Sequence, residues 1–117
     1  MCRPGTKLCP MLAHTVFFTM KGRSMERAEN LVEAAHKYLT DHTGCVFYAC
    51  GLREPEYDRP VNDDAFDVSL TVVFQTKADH DAYQIAERHL QFIDEQMDNW
   101  ETVRVFDANV ESESSHP

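Results

Sequence analysis

No stretch of this sequence approaches the ~20 consecutive apolar residues that a membrane helix needs. No CxxC pair is present, so the ligand spacing of a structural zinc site is missing. There is no Gly-rich phosphate loop, no Ser-His-Asp order and no nucleophile elbow. Basic residues are scarce, with 11 Lys+Arg against 20 Asp+Glu and a net charge of −9. That balance argues against a nucleic-acid partner, which needs a basic face, and equally against an anionic membrane surface. It suits a soluble, self-repelling chain and says nothing about fold. The four cysteines do not require a disulfide scaffold, because apolar periodicity is ample. Cys45 and Cys50 lie five apart on one expected strand, so their side chains should point to opposite faces and stay unbonded. Buried or surface thiols in a reducing compartment are the simpler expectation.

At 117 residues and 13.5 kDa the chain makes one small domain. A core is within reach at this size, because such a chain buries about two-thirds of its unfolded surface. Arg3 and Lys7 precede an apolar run from Met11 to Phe18, but His14 interrupts it and no small-residue cleavage site follows. A signal peptide is therefore not expected, and the expected location is cytoplasmic. Residues 1–10 carry two Pro, a Gly and two Cys without periodicity and read as a loose arm. Residues 111–117 read as a disordered acidic tail. Residues 11–110 form the folded unit.

Within that unit, His14 to Lys21 alternates as a strand, with His14, Val16, Phe18 and Met20 on one face. Ser24 can cap a following helix to about Asp41, whose stripe is Ala28, Leu31, Val32, Ala35 and Leu39. Cys45 to Leu52 reads as a second strand. The charged run from Arg53 to Ala65 holds Pro55 and Pro60 and reads as a long loop. Phe66 to Phe74 has the cleanest alternation in the chain. Thr76 to about Asn99 is helical in composition, with a break near His89 and with Ala82, Ile85, Ala86, Ile93 and Met97 inward. Thr102 to Val110 reads as the last strand, reached through Trp100.

The order is β-α-β-β-α-β, an α+β chain whose two helices can cover one face of a four-stranded antiparallel sheet. The other face carries Phe17 between two threonines, and Asp67, Ser69, Thr71 and Val73. It is too polar for a core and too apolar for plain surface, which points to a second copy of the chain as its cover. A stable pairing of that kind buries roughly 1,200–2,000 Å².

Four pieces now stand in order: His-x-Val-Phe-Phe-x-Met-Lys from His14, the strand Phe66 to Phe74, Tyr83 with His89 six residues on, and Trp100-x-x-Val-x-Val-Phe-Asp. Together they resemble the stress-responsive α/β-barrel (Dabb) family, over about residues 11–110. The resemblance implies a ferredoxin-like fold whose two copies pair into a dimeric α/β barrel. Most members have no assigned activity. One relative, the plant polyketide cyclase olivetolic acid cyclase, performs an aldol closure without metal or cofactor. By motif its catalytic histidine and tyrosine fall on His89 and Tyr83, and its strand histidine on His14. The family often carries His-Pro-x-His where this chain has Ala86-Glu87-Arg88-His89. Loss of the proline should allow a more continuous helix and change how His89 is presented.

The residues themselves suggest a cavity between sheet and helices, with His14, Val16, Phe18, Leu70 and Val72 contributed by the sheet and Tyr83 and His89 by the second helical segment. A neutral imidazole there could take a proton next to a carbonyl, and a phenol could hold the developing enolate oxygen. The plainer alternative is that His89 and Tyr83 satisfy each other or a backbone group. The expected ligand is small and hydrophobic or carbonyl-bearing, with no cofactor and no metal. A cluster of His80 with Asp79 and Asp81 is poorly spaced for metal, since adjacent helical residues face different ways. His36 and His42 read as solvent-facing or dipole-pairing residues near a helix end, and Trp100 as a hydrophobic anchor. Rival readings are a monooxygenase or haem-degrading relative of the antibiotic-biosynthesis type, and an assembly without pocket chemistry.

Overall fold

The computed structural model describes residues 10–111. Its elements are β1 (Pro10–Met20), α1 (Met25–Tyr38), β2 (Cys45–Leu52), β3 (Val68–Phe74), α2 (Lys77–Gln84), α3 (Glu87–Gln96) and β4 (Trp100–Glu111), with short 3₁₀ turns before α1 and β4. The sheet order is β2-β3-β1-β4, and every neighbouring pair is antiparallel. This is the expected α+β, ferredoxin-like arrangement. Three strands differ in extent from the sequence reading, and β3 starts at Val68 rather than Phe66. β1 starts at Pro10 and β4 ends at Glu111, because these two strands stay paired from Pro10↔Glu111 to Met20↔Trp100. The expected arm and tail otherwise lie outside the described residues.

Strict alternation places Leu12, His14, Val16, Phe18 and Met20 under the helices, together with Val68, Leu70, Val72 and Phe74 of β3. The apolar run from Met11 to Phe18 is thus most of an inner strand of the sheet. α1 begins where the Ser24 hydroxyl accepts the Arg27 N–H at 3.2 Å, and buries Ala28, Leu31, Ala34 and Ala35. Gly44, at φ +82°, turns the chain into β2 where a Cβ would run into the Asp79 side chain.

The second helical segment departs from the sequence reading. It breaks at Ile85 and Ala86, near His89 as expected, and becomes two helices. Ala86 adopts φ −67° and ψ 143°, the extended geometry that a proline at the next position would favour, although Glu87 stands there. The expected continuity of the helix is therefore not found. Arg88 accounts for the anchoring of α3: its guanidinium donates to the Thr40 and Lys37 carbonyls, at 2.9 Å each, just past and at the end of α1. The break also resets the helical phase. Ala82, Ile85 and Met97, expected inward, face solvent, while Tyr83, His89, Phe92 and Gln96 are buried.

A β-bulge between Cys45 and Phe47 corrects another expectation. The extra residue shifts the alternation, so Cys45 and Cys50 both pack against the core rather than on opposite faces. Both are free thiols, as expected, and burial pushes Cys50 up to about 12.

The long loop after β2 is held at its far end. Asp67 accepts the Met20 backbone N–H at 2.8 Å and the Arg23 Nε–H at 2.9 Å. Arg23 also donates to the Asp64 and Phe66 carbonyls. The sheet face away from the helices stays open, with Phe47 and Phe106 more than half exposed.

Candidate functional site

A cavity of about 260 Å³ lies between the covered face of the sheet and the α2–α3 pair. Alternation on β1 sends His14, Val16 and Phe18 into it, and Leu70 of β3 lies beside them. Val72, expected to join them, is fully buried in the core and does not line the cavity. α2 contributes His80, Tyr83 and Gln84, and α3 contributes His89, Phe92 and Ile93. β4 adds Trp100, Val103, Val105 and Asp107. No helix covers Val103 and Val105, which is where the cavity opens.

The break between α2 and α3 sets the position of His89. Its Nδ1–H donates to the Gln84 carbonyl at 3.1 Å, one of the carbonyls freed at the end of α2. That bond fixes the tautomer and leaves Nε2 with its lone pair. Burial, reinforced by His14, His42 and His80, pulls the imidazole down to about 4 against the Gln84 bond, so it is neutral near pH 7.

Tyr83 stands against His89, with ring centroids 4.5 Å apart, and against Phe74 and His42 at 4.9 Å each. Its hydroxyl is buried without a hydrogen-bond partner, and burial raises its pKa above the usual phenol value. Trp100 packs on Phe18 at 5.2 Å, as the anchor reading expected, but its indole N–H is likewise buried and unpartnered. Among the described residues these two are the only buried side-chain polar atoms without a partner, and both belong to residues that line the cavity.

His14 meets a residue to which the sequence reading gave no role. Its Nδ1 lies 2.5 Å from a carboxylate oxygen of Asp107, directly opposite on β4. The motif ending Val-Phe-Asp contained Asp107, but its partner becomes visible only through the β1–β4 register. His80 also faces this corner, its ring 5.0 Å from that of His14 and its Nε2 3.8 Å from Asp107. Asp79 is not part of the group, because it packs back on Thr76 at the start of α2. His36 bonds the Tyr48 hydroxyl, and His42 donates to the Tyr38 carbonyl at the end of α1.

The family model described as Stress responsive A/B Barrel Domain, or Dabb, matches residues 12–110. The chain belongs to the Dabb family. Solved structures agree on the fold of this Dabb domain. A dimeric ferredoxin-like protein of unknown function from Thermobifida fusca matches with a TM-score of 0.70 at 13% identity, over 94% of this chain and 100% of its own. A Dabb family protein with a ferredoxin-like fold from Mesorhizobium loti matches with a TM-score of 0.69 at 23% identity, over 85% and 95%. The hydroxynitrile lyase of Passiflora edulis matches with a TM-score of 0.70 at 16% identity, over 92% and 97%. At these identities the likeness is one of fold. No curated protein matches the chain by sequence. No helix among the described residues is long and apolar enough to cross a membrane.

Proposed function

We propose that this Dabb domain binds a small, mainly apolar molecule carrying a carbonyl group in the cavity between sheet and helices. The observation that carries the reading is a mainly apolar cavity whose lining residues include Tyr83 and Trp100, each with a buried donor that has no partner. Leaving a buried donor unpaired costs about 1–3 kcal/mol. Such a cost would be recovered by a small side-chain turn that brings either donor to a ligand's acceptor oxygen. The apolar lining from Val16, Phe18, Leu70 and Phe92 would hold the remainder of the ligand.

Trp100 is the only tryptophan, so its fluorescence reports on the cavity directly. Medium-chain methyl ketones should quench it, and alkanes of equal length should do so far more weakly. Tyr83→Phe should weaken ketone binding by about tenfold, the worth of one hydrogen bond. Equal binding of ketone and alkane would refute the carbonyl assignment.

A second reading adds chemistry, and the neutral state of His89 favours it. The free Nε2 is a base on a buried side chain of a mainly apolar cavity, beside a phenol able to donate to a developing enolate oxygen. Cofactor-independent proton transfer next to a carbonyl would be catalysed by this pair. It would appear as deuterium exchange at the α-carbon of a bound ketone, abolished in His89→Ala. Exchange that persists in that variant would leave His89 without a catalytic role.

The open sheet face is proposed as the contact between two copies of the chain. Its half-exposed Phe47 and Phe106 need a cover, and the structural neighbours from Thermobifida fusca and Jannaschia are both described as dimeric.

A further inference from the structure

We propose that His14, His80 and Asp107 form a binding site for a divalent first-row transition ion of the Zn²⁺ class, at the corner of the cavity where β1, β4 and α2 meet. One ligand atom from each residue lies within 4.8 Å of the other two. Neighbouring donors around such an ion, at about 2.1 Å from it, stand roughly 3.0–3.4 Å apart. His14 and Asp107 are already at 2.5 Å and would open slightly, while His80 closes on them from 3.8 Å. Two imidazoles and one carboxylate are a donor set suited to zinc, iron or cobalt, with coordination positions left open.

The surroundings of His80 are those of a metal ligand. Its Nδ1–H donates to the Asp81 carboxylate at 3.2 Å, and this leaves Nε2 as the lone-pair nitrogen turned toward Asp107. A carboxylate behind the ring fixes the tautomer and orients the ligating atom. The Gln84 side-chain amide, 3.2 Å from His80 Nε2, occupies that lone pair in the metal-free chain and would be displaced. For Nδ1 of His14 to ligate, the neutral ring carries its proton on Nε2 instead, and the hydrogen bond to Asp107 gives way to the ion. His14 is 5% exposed and sits on a central strand, so one donor is rigid; Asp107 is partly open to solvent and gives a path in.

The site needs only these donors and does not depend on the carbonyl reading. If both hold, an ion with open positions here would face the same cavity as the bound carbonyl.

Titration of the full chain with Co²⁺ in excess Mg²⁺ tests the proposal without any ligand. One Co²⁺ per chain is expected, with visible absorption of a nitrogen–oxygen site and competition by Zn²⁺. Asp107→Asn and His80→Gln should each weaken binding at least tenfold, and Asp81→Asn, which touches only the second nitrogen of His80, by about tenfold. His80 and Asp107 lie at the cavity mouth, and far-UV circular dichroism establishes that each variant is folded. Absence of stoichiometric Co²⁺ binding overturns the proposal, as does unchanged affinity in the folded variants. A thiolate charge-transfer band would place the ion on cysteine and overturn it as well.

Discussion

The rings of Tyr83 and His89 lie 4.5 Å apart at 52° to each other, yet neither polar atom bonds the other. His89 spends its Nδ1–H on the Gln84 carbonyl, and the Tyr83 hydroxyl has no partner at all. The two residues therefore pack as aromatic neighbours and leave a base and a donor free side by side.

The first prediction concerns acid. The His89 pKa is about 4 in the folded chain against an ordinary 6.5. Between these values the unfolded chain holds the extra proton, so stability rises with pH across that window and is lost as pH falls through it. Histidine NMR titration should find His89 still neutral at pH 5. Any proton-transfer activity that uses it should likewise keep its acid limb near 4. A midpoint near 6.5 would show that the imidazole is not desolvated.

Tyr83→Phe removes a buried hydroxyl that bonds nothing. The variant should be as stable as the parent or more stable by about 1 kcal/mol, seen as an unchanged or higher thermal midpoint. Reduced ketone binding should accompany that gain. A loss of more than about 1 kcal/mol would mean that the hydroxyl has a partner in the unliganded protein.

Asp67→Ala breaks the clasp at the end of the long loop. The carboxylate accepts from the Met20 backbone and from Arg23, and hydrogen bonds of this charged type contribute about 1.5–3 kcal/mol. Chemical denaturation should show a loss in that range. Proteolysis should become faster between residues 53 and 66 while the sheet persists. Stability within 0.5 kcal/mol of the parent, on the order of an ordinary surface change, would reject the clasp.

Phe106→Asp places a charge on the open face beside Phe17, whose ring lies 5.8 Å from Phe106. If two copies meet on this face, the parent chain should sediment as a dimer and the variant as a folded monomer. A parent that remains monomeric at high micromolar concentration would remove the reason given for the exposed aromatic residues.

Period-two alternation made β1 and β3 legible, down to which face His14 takes, because a strand gives its side chains only two directions. The same logic failed at Cys45, where one extra residue in a bulge reverses the faces and leaves no mark in composition. It failed again after Gln84, where a helical phase carried through Ile85 and Ala86 put Met97 inside and left Gln96 out. Ala86 takes the extended geometry that a proline after it would favour, yet Glu87 follows. His14, Tyr83 and His89 were named from motif and face. Asp107 stood in a quoted motif without a role, and His80 was weighed only against its sequence neighbours.

The sequence by itself determined the element order, the covered and open faces of β1 and β3, and the presence of His14 on the covered side, since these follow from local periodicity. Only the tertiary structure decided that His14 faces Asp107, that His80 joins them, and that Tyr83 and Trp100 keep their donors unpaired. Those relations join residues up to 93 positions apart, and they are set by strand register and by the turn between two helices. Neither is written in the spacing of any one segment.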